Sequence, residues 1–503
     1  MINLVDKSSL YDKLKSIVGS ENVTDNETIM EAYTATTFRP APRDTMVVFT
    51  NAVKPKKPDF IVRAGSTEEI QQIVRLANQY KVPVIPMAGL TSQYAEAVPT
   101  MGGIMIDLSR MRKIVLDEES LMVTLEPGVT FAQAYRELAV KGYWIVNQSL
   151  PPAIPIMGST TQGATHMPFD KYASGLNGYQ CDLTIGLEVV LPTGEKLITG
   201  SSALPGAKPQ HERAYGPGVG HLFLASQGTL GIITKQILPV YRIPEARHIV
   251  TGLFKIKNIK GYVNASKRIM DDNLQGAIWV EKVWGWYEAK AEGWQLYVIL
   301  YGSKETVEFY RKSSEKIITE EGGKIYPGFS PMLEPEADWS GGFGKFYEEF
   351  IYWRPRANSI VSVPKGTDAF GIGGTASYSV LPKLLDAAIE VLAKHGVPLS
   401  KLHGGTFSVG PLSASATYRW AYDLNDPEEV KRAKAIREEW KKVSFEITGT
   451  VAVRGGEYRP SPAIAPEFMP KLGEYYKLLN KMKRMLDPNR IMNPGKLMDL
   501  EPY

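Results

Sequence analysis

Cysteine is almost missing from this chain: Cys181 is the only one in 503 residues. No disulfide can form within the chain, and cysteines cannot ligate a zinc ribbon or an iron–sulfur cluster. Any redox chemistry must therefore run on an organic cofactor or through a partner. Histidine is scarce as well. The six present (His166, His211, His221, His248, His395 and His403) include no HExxH pair, so no metal site is expected. Neither sign of charge dominates. The 58 basic and 54 acidic residues are interspersed, and without a polybasic block to follow a phosphate backbone, nucleic acid is not an expected partner. Long apolar runs are also missing, since no stretch reaches the roughly twenty uncharged apolar residues of a membrane span. The opening stretch MINLVDKSSLYDKLKSIVGSENV reads as an amphipathic helix rather than a signal peptide, so the expected location is the cytoplasm.

Several familiar motifs are absent too. GIGG at Gly371–Gly374 lacks the strand-to-helix setting of a phosphate loop and is read as a bulge or turn; no Rossmann or Walker fingerprint is found. GGTFSVG carries its serine one place too late for a nucleophile elbow, which disfavours a serine hydrolase.

What is present is an ordinary globular composition, 44% apolar and 22% charged, in a chain long enough for two units. From Pro58 the segment DFIVRAG reads as a strand, and Ser66 with Glu69 as a capping box. Ile70, Ile73, Val74 and Ala77 then recur at helical spacing up to Tyr80, before the second strand VPVIPMAG. This is a β-α-β unit. Short strands follow in GGIMIDLSRM, LMVTLEPGV and LTIGLEVVLPTGEKLITG, the last with a hairpin turn at Thr193-Gly194. After Pro244 the texture changes: HIVTGLFKI and WQLYVILYGS read as strands, EVLAKHG and PEEVKRAKAIREEWKKV as helices, with a boundary near Arg247. Six of the nine tryptophans fall between Trp279 and Trp353, where they serve a core or, in part, the walls of an apolar pocket. EFMPKLGEYYKLLNKMKRMLD reads as one helix ended by Pro488.

Three stretches are rich in small residues: PMAGLTSQYAEAVP (Pro86–Pro99), IPIMGSTTQGATHM (Ile154–Met167) and SQGTLGIITK (Ser226–Lys235). At Ala88, Gly89, Thr91 and Ser92 backbone N–H groups can approach an anion closely. Any one such stretch is equally a loop that binds nothing. Three within one unit are better explained by a long ligand, such as a dinucleotide with two phosphates and two ring systems. In RGGEYRP, the adjacent Tyr458 and Arg459 pair a directional donor with a forked permanent cation, suited to a phenolate or carboxylate; the alternative is a surface arginine beside a half-buried tyrosine.

In order along the chain, RAGSTEEIQQIVRLANQYKVPVIPMAGLTS, MVTLEPGVTF, IGLEVVLPTGEKLITG, FLASQGTLGIITK and LDPNRIMNPGKL resemble the FAD-binding half of the vanillyl-alcohol oxidase and para-cresol methylhydroxylase (PCMH) family. The resemblance covers most of residues 56–245 and 450–503. It implies an α+β fold: an N-terminal helical extension (1–55), a PCMH-type FAD-binding domain of two α+β subdomains (56–246), and a substrate or cap domain with an antiparallel sheet flanked by helices (247–450). A C-terminal segment (451–503) then returns to the FAD domain. The cofactor contacts it implies are Pro86, Ala88, Gly89, Leu90, Thr91, Ser92 and Gln93; Pro127 and Gly128; Ile156, Gly158, Ser159, Thr160 and Gly163; Gly228, Gly231 and Ile233; and Asn493 and Lys496. Around residues 365–380, where some relatives attach flavin covalently, there is no histidine and only Tyr378, so non-covalent FAD is expected.

Within the family the chain is most similar to oxidisers of para-substituted phenols, through GEYR (Gly456–Arg459) and GTFSVG (Gly405–Gly410). The resemblance implies that Tyr94, Tyr458 and Arg459 clamp a substrate oxyanion. A stabilised phenolate pushes electron density toward the para carbon, which then gives up hydride to the flavin and leaves a quinone methide. The chain departs from the family pattern in a phosphate loop leaner in glycine and in the acidic residue near the flavin, replaced around Tyr179 with Asp182 nearby. Two other readings stand beside this one. The broader FAD-linked group includes 2-hydroxy-acid dehydrogenases with a similar DPN-x-x-x-NPGK tail, although the HGDGN-type metal motif is absent. A non-catalytic scaffold subunit is a reading of another class. The expected partners are a small aromatic or hydroxy-acid substrate, an electron acceptor (dioxygen, a cytochrome or an electron-transfer flavoprotein) and a second copy of the chain in a homodimer or higher oligomer.

Overall fold

The runs Phe60–Arg63, Val84–Met87 and Ile104–Asp107 are apolar at nearly every position, as befits strands covered on both faces. The computed structural model describes residues 4–34, 56–90, 96–145, 154–161, 183–255, 258–274, 280–288, 293–326, 367–398, 402–409, 413–423, 425–448 and 465–500. In it the three runs form parallel strands of a four-stranded sheet, with Val23–Thr24 antiparallel at one edge. Phe60, Val62, Ile104 and Ile106 share a core with Leu10 and Leu14 of helix Leu4–Val18 and with Ile70 and Ile73 of helix Thr67–Tyr80. Ile61, Ile85, Met87 and Met105 point the other way and pack with Met30. The strand Ile104–Asp107 lies between the two strands of the β-α-β unit, so helix Thr67–Tyr80 crosses over a strand that comes later in the chain. At the start of that helix the Ser66 hydroxyl accepts from the Glu69 N–H (3.1 Å). The Glu69 carboxylate accepts from Gly65 N–H (2.7 Å), one residue earlier than a reciprocal capping box requires.

The next sheet is antiparallel, with strands in the order Ile114–Asp117, Met122–Leu125, Ile232–Pro239, Gly186–Val190 and Lys196–Ile198. Gly194, at φ 84°, closes the expected hairpin. Polar side chains tie this sheet to its surroundings. The buried Glu188 carboxylate accepts from Thr67 (2.8 Å), Thr234 (2.9 Å) and Lys235 (3.0 Å). Burial pushes its carboxyl up, but these hydrogen bonds more than offset that, and Glu188 titrates below the ordinary carboxylate range.

From Ala246 a seven-stranded antiparallel sheet follows, in the order Lys324–Tyr326, Ala246–Lys255, Gly293–Gly302, Val280–Glu288, Leu402–Val409, Ser413–Asp423 and Thr367–Ser377. Helices Ile259–Leu274, Lys304–Glu320, Leu381–Lys394 and Pro427–Thr448 pack on it. Trp294, fully buried, sits between Tyr262 (5.7 Å between centroids) and Tyr418 (5.5 Å). The core is continuous with that of the preceding sheet through Leu187, Val189, Phe223 and Leu230.

Two local expectations are corrected. GIGG is neither bulge nor turn: it lies inside the eleven-residue strand Thr367–Ser377, in unbroken register with Ser413–Asp423. Trp440 of the overlying helix donates to the Gly373 carbonyl (3.1 Å), an approach that a strand without side chains permits. The tail is not one helix. Gly473, at φ 57° and ψ −124°, separates the short turns Ala465–Phe468 and Met469–Leu472 from helix Glu474–Leu486, because only glycine adopts that conformation without strain. Among the described residues, no helix is long and apolar enough to cross a membrane.

Candidate functional site

Strands Val84–Met87 and Ile104–Asp107 end in register, Met87 opposite Asp107, and the chain leaving them opens a crevice. The carboxyl ends of parallel strands are where open α/β sheets bind ligands. One wall comes from Pro86–Leu90 with Glu96 and Ala97, the other from Ser226–Gly228 and Gly231–Ile233; Pro127, Met157 and Gly158 complete it. About 830 Å³ is free of protein atoms, the open mouth included.

Of the residues expected at the cofactor, Pro86, Ala88, Gly89, Leu90, Pro127, Gly158, Gly228, Gly231 and Ile233 line this crevice. The loop leaner in glycine has a structural counterpart. Leu90 takes the left-handed conformation (φ 51°) immediately after Gly89, at a cost of roughly 1 kcal/mol or more for a residue with a side chain. Gly228 is also left-handed (φ 69°), and a Cβ there would come within 2.5 Å of Pro86 Cγ. At Gly158, by contrast, the nearest atom to an added Cβ is Ala88 Cβ at 3.7 Å, so the wall is open at that point.

Other expected contacts lie behind the walls. Gly128 donates to Met111 O (2.7 Å), and a Cβ on it would meet the carbonyls of Ser109, Met111 and Leu108 at 2.7–2.9 Å. Ile156 is in the core, and Thr160 donates to Gln236 Oε1 (2.5 Å), fastening the turn that carries Gly158 to strand Ile232–Pro239. Ser159 lies on helix Ile156–Thr160. Asn493 and Lys496 sit in the tail, Lys496 donating to Val98 O (2.7 Å) and fully buried. Burial pushes the Lys496 ammonium down to about 7, against the opposing pull of the Glu96 carboxylate. Thr91, Ser92, Gln93, Tyr94, Gly163, Tyr179, Asp182, Tyr458 and Arg459 lie outside the described residues.

The tail is anchored by a buried ion pair. Lys483 bonds to Asp487 and also donates to Thr229 O (2.8 Å) and Met492 O (2.9 Å), while Asp487 accepts from the N–H groups of Ile491 and Met492. Lining residues that the sequence did not single out include Glu96, Ala97, Leu108, Met157 and Phe223. Glu96, Ala97 and Met157 lie inside the small-residue stretches and Phe223 opens the stretch FLASQGTLGIITK, which are usable signals; Leu108 arrives by long-range folding and carries none.

Residues 58–200 match the profile of an FAD binding domain, and residues 352–497 that of the C-terminal domain of FAD linked oxidases; together they span more than half of the chain. A 4-cresol dehydrogenase [hydroxylating] flavoprotein subunit from Pseudomonas putida is 25% identical over 493 residues, covering 87% of each chain. The fold is that of a 4-ethylphenol oxidase from Gulosibacter chungangensis (TM-score 0.79, 19% identity, 99% of this chain and 98% of that one). The chain belongs to the vanillyl-alcohol oxidase and PCMH family. As a member of that family it is an FAD-dependent oxidoreductase. The family also includes relatives of another chemistry: a probable mitochondrial D-lactate dehydrogenase from Danio rerio is 24% identical over 461 residues, covering 88% of this chain and 85% of its own.

The residues present fit FAD. Backbone-lined walls from three separate segments converge, glycine at 228 is sterically required, and Gly158 leaves its wall open. Tyr378 lies elsewhere, near Asp271 and with the Lys267 ammonium over its ring (5.9 Å); burial, then the Asp271 charge, raise its hydroxyl above the usual range.

Proposed function

We propose that the enzyme oxidises a para-substituted phenol, an alkylphenol or a benzylic alcohol, bound as its oxyanion. The observation that carries this reading is the crevice at the carboxyl ends of the parallel strands, lined by Leu90 and Glu96, between which Tyr94 falls in the sequence. Tyr94, Tyr458 and Arg459 hold the substrate oxygen, the tyrosines by directional hydrogen bonds and the arginine by permanent charge. Ala88, Gly89, Gly158 and Gly228 leave backbone exposed to the cofactor, whose isoalloxazine supplies a hydride acceptor when bound. The chain holds FAD without a covalent link, so acid precipitation releases the flavin into the supernatant; flavin retained on the pellet overturns this.

The likeness to a D-lactate dehydrogenase supports a second reading, in which Arg459 binds the carboxylate of a 2-hydroxy acid. Anaerobic titration of flavin absorbance separates the two. Bleaching by 4-ethylphenol but not by D-lactate or glycolate is expected; the reverse result replaces the phenol reading with the hydroxy-acid one. Arg459→Ala lowers turnover of the anionic substrate at least about tenfold, the loss of one charge-assisted contact. Unchanged kinetics removes the arginine from the clamp.

A further inference from the structure

Asn493 does not line the crevice, yet it holds both of its sides. Its side-chain amide donates to the carbonyl oxygens of Glu96 (2.9 Å) and Gln227 (2.6 Å), and its backbone N–H donates to Val84 O (2.8 Å). It is 1% exposed and left-handed (φ 39°), a conformation asparagine tolerates better than most residues.

In a planar trans peptide the C=O of one residue and the N–H of the next point in opposite directions. With the Glu96 and Gln227 carbonyls turned toward Asn493, the N–H groups of Ala97 and Gly228 are turned away from it. Ala97 and Gly228 both line the crevice, and neither N–H has a hydrogen-bond partner among the described residues. A partly buried N–H in that state calls for an acceptor.

The other tail contacts lack this property. Lys483 holds Thr229 O, but the N–H on the far side of that peptide belongs to Leu230, which is in the core. Lys496 holds Val98 O, and the next residue, Pro99, has no N–H. Thr100 donates to Pro494 O (2.7 Å) and attaches the tail without engaging a wall carbonyl.

We propose that Asn493 is a positioning residue for FAD, orienting the N–H groups of Ala97 and Gly228 so that both donate to oxygens of the bound cofactor. The inference rests on the crevice being the FAD site. Asparagine suits the task because one carboxamide offers two donors for two carbonyls. Aspartate, almost the same size, offers none and sets a negative charge against both.

The test uses the full-length protein, titrated with FAD and followed by flavin fluorescence. Bound FAD is examined by 31P NMR and visible absorbance. Asn493→Asp weakens FAD at least about a hundredfold and Asn493→Ala at least about tenfold, consistent with losing two hydrogen bonds with or without added repulsion. Thr100→Val, which loosens the tail alone, stays within about threefold of wild type. Flavin forced onto Asn493→Ala at saturation shows a displaced 31P resonance if the N–H groups reach the pyrophosphate, or a displaced visible band if they reach a ring carbonyl. Should Asn493→Asp not fold, Asn493→Ala carries the test. Equal affinity losses in Asn493→Ala and Thr100→Val, or an unaltered spectrum in both, overturn the proposal by making the tail mere adhesive. A wild-type protein that takes up no FAD fails differently, because it removes the cofactor assignment itself.

Discussion

The crevice and the seven-stranded sheet are shaped by different parts of the chain. Around the crevice the decisive contacts are made by backbone: carbonyls 96, 98, 227 and 229 are held from behind by Asn493, Lys496 and Lys483, and Gly228 abuts Pro86. In the sheet they are made by large side chains, with Trp294 closed in by Tyr262 and Tyr418 and Trp440 lying over Gly373. Where backbone forms the surface, the damaging change is an added side chain; where side chains form the core, it is a removed one.

The strongest challenge to that contrast is Gly228→Val. The substitution places Cβ against Pro86 at a left-handed position, and FAD affinity should fall at least about a hundredfold, or about 2.7 kcal/mol, in a fluorescence titration. Wild-type affinity would mean that the wall is not set by backbone. Trp294→Ala makes the converse case. Urea unfolding should show a loss of about 3–5 kcal/mol, while the folded protein still binds FAD as wild type does. A large fall in FAD affinity would merge the two regions.

The most gradual effect, small within any one pH unit, is a pH dependence confined to the crevice side. Burial lowers Lys496 to about 7, so above that pH the native state has released a proton that the unfolded chain keeps up to about 10.4. Unfolding free energy should therefore rise with pH across this window, by at most about 1.4 kcal/mol per unit from this group. Lys483, also lowered by burial, adds in the same sense. Lys496→Met should flatten the rise and Trp294→Ala should leave it in place; a slope unchanged in Lys496→Met discards the buried ammonium as its source.

Much of the fold was legible because its signals are local. The capping residue Ser66, the spacing of Ile70, Ile73, Val74 and Ala77, and the turn at Gly194 each involve neighbours a few positions apart, and helix Thr67–Tyr80 and hairpin Gly186–Ile198 appear where they predict. The small-residue stretches likewise pointed to segments that reach the crevice. GIGG and the helix through Gly473 misled for a related reason: glycine is compatible with turn, strand and break alike, and the packing around it chooses.

Composition and local periodicity by themselves determined that cysteine-based centres are excluded and that the chain folds as mixed α and β structure, and they singled out three small-residue segments as candidate walls for one long ligand. Only the tertiary structure decided the insertion of strand Ile104–Asp107 between two earlier strands, and the division of the glycines and tail residues into those facing the crevice and those bracing it from behind. The bonds from Asn493 to Glu96 and Gln227 span 397 and 266 positions. No pattern within one segment encodes a partner that distant, because its direction depends on how every intervening element packs.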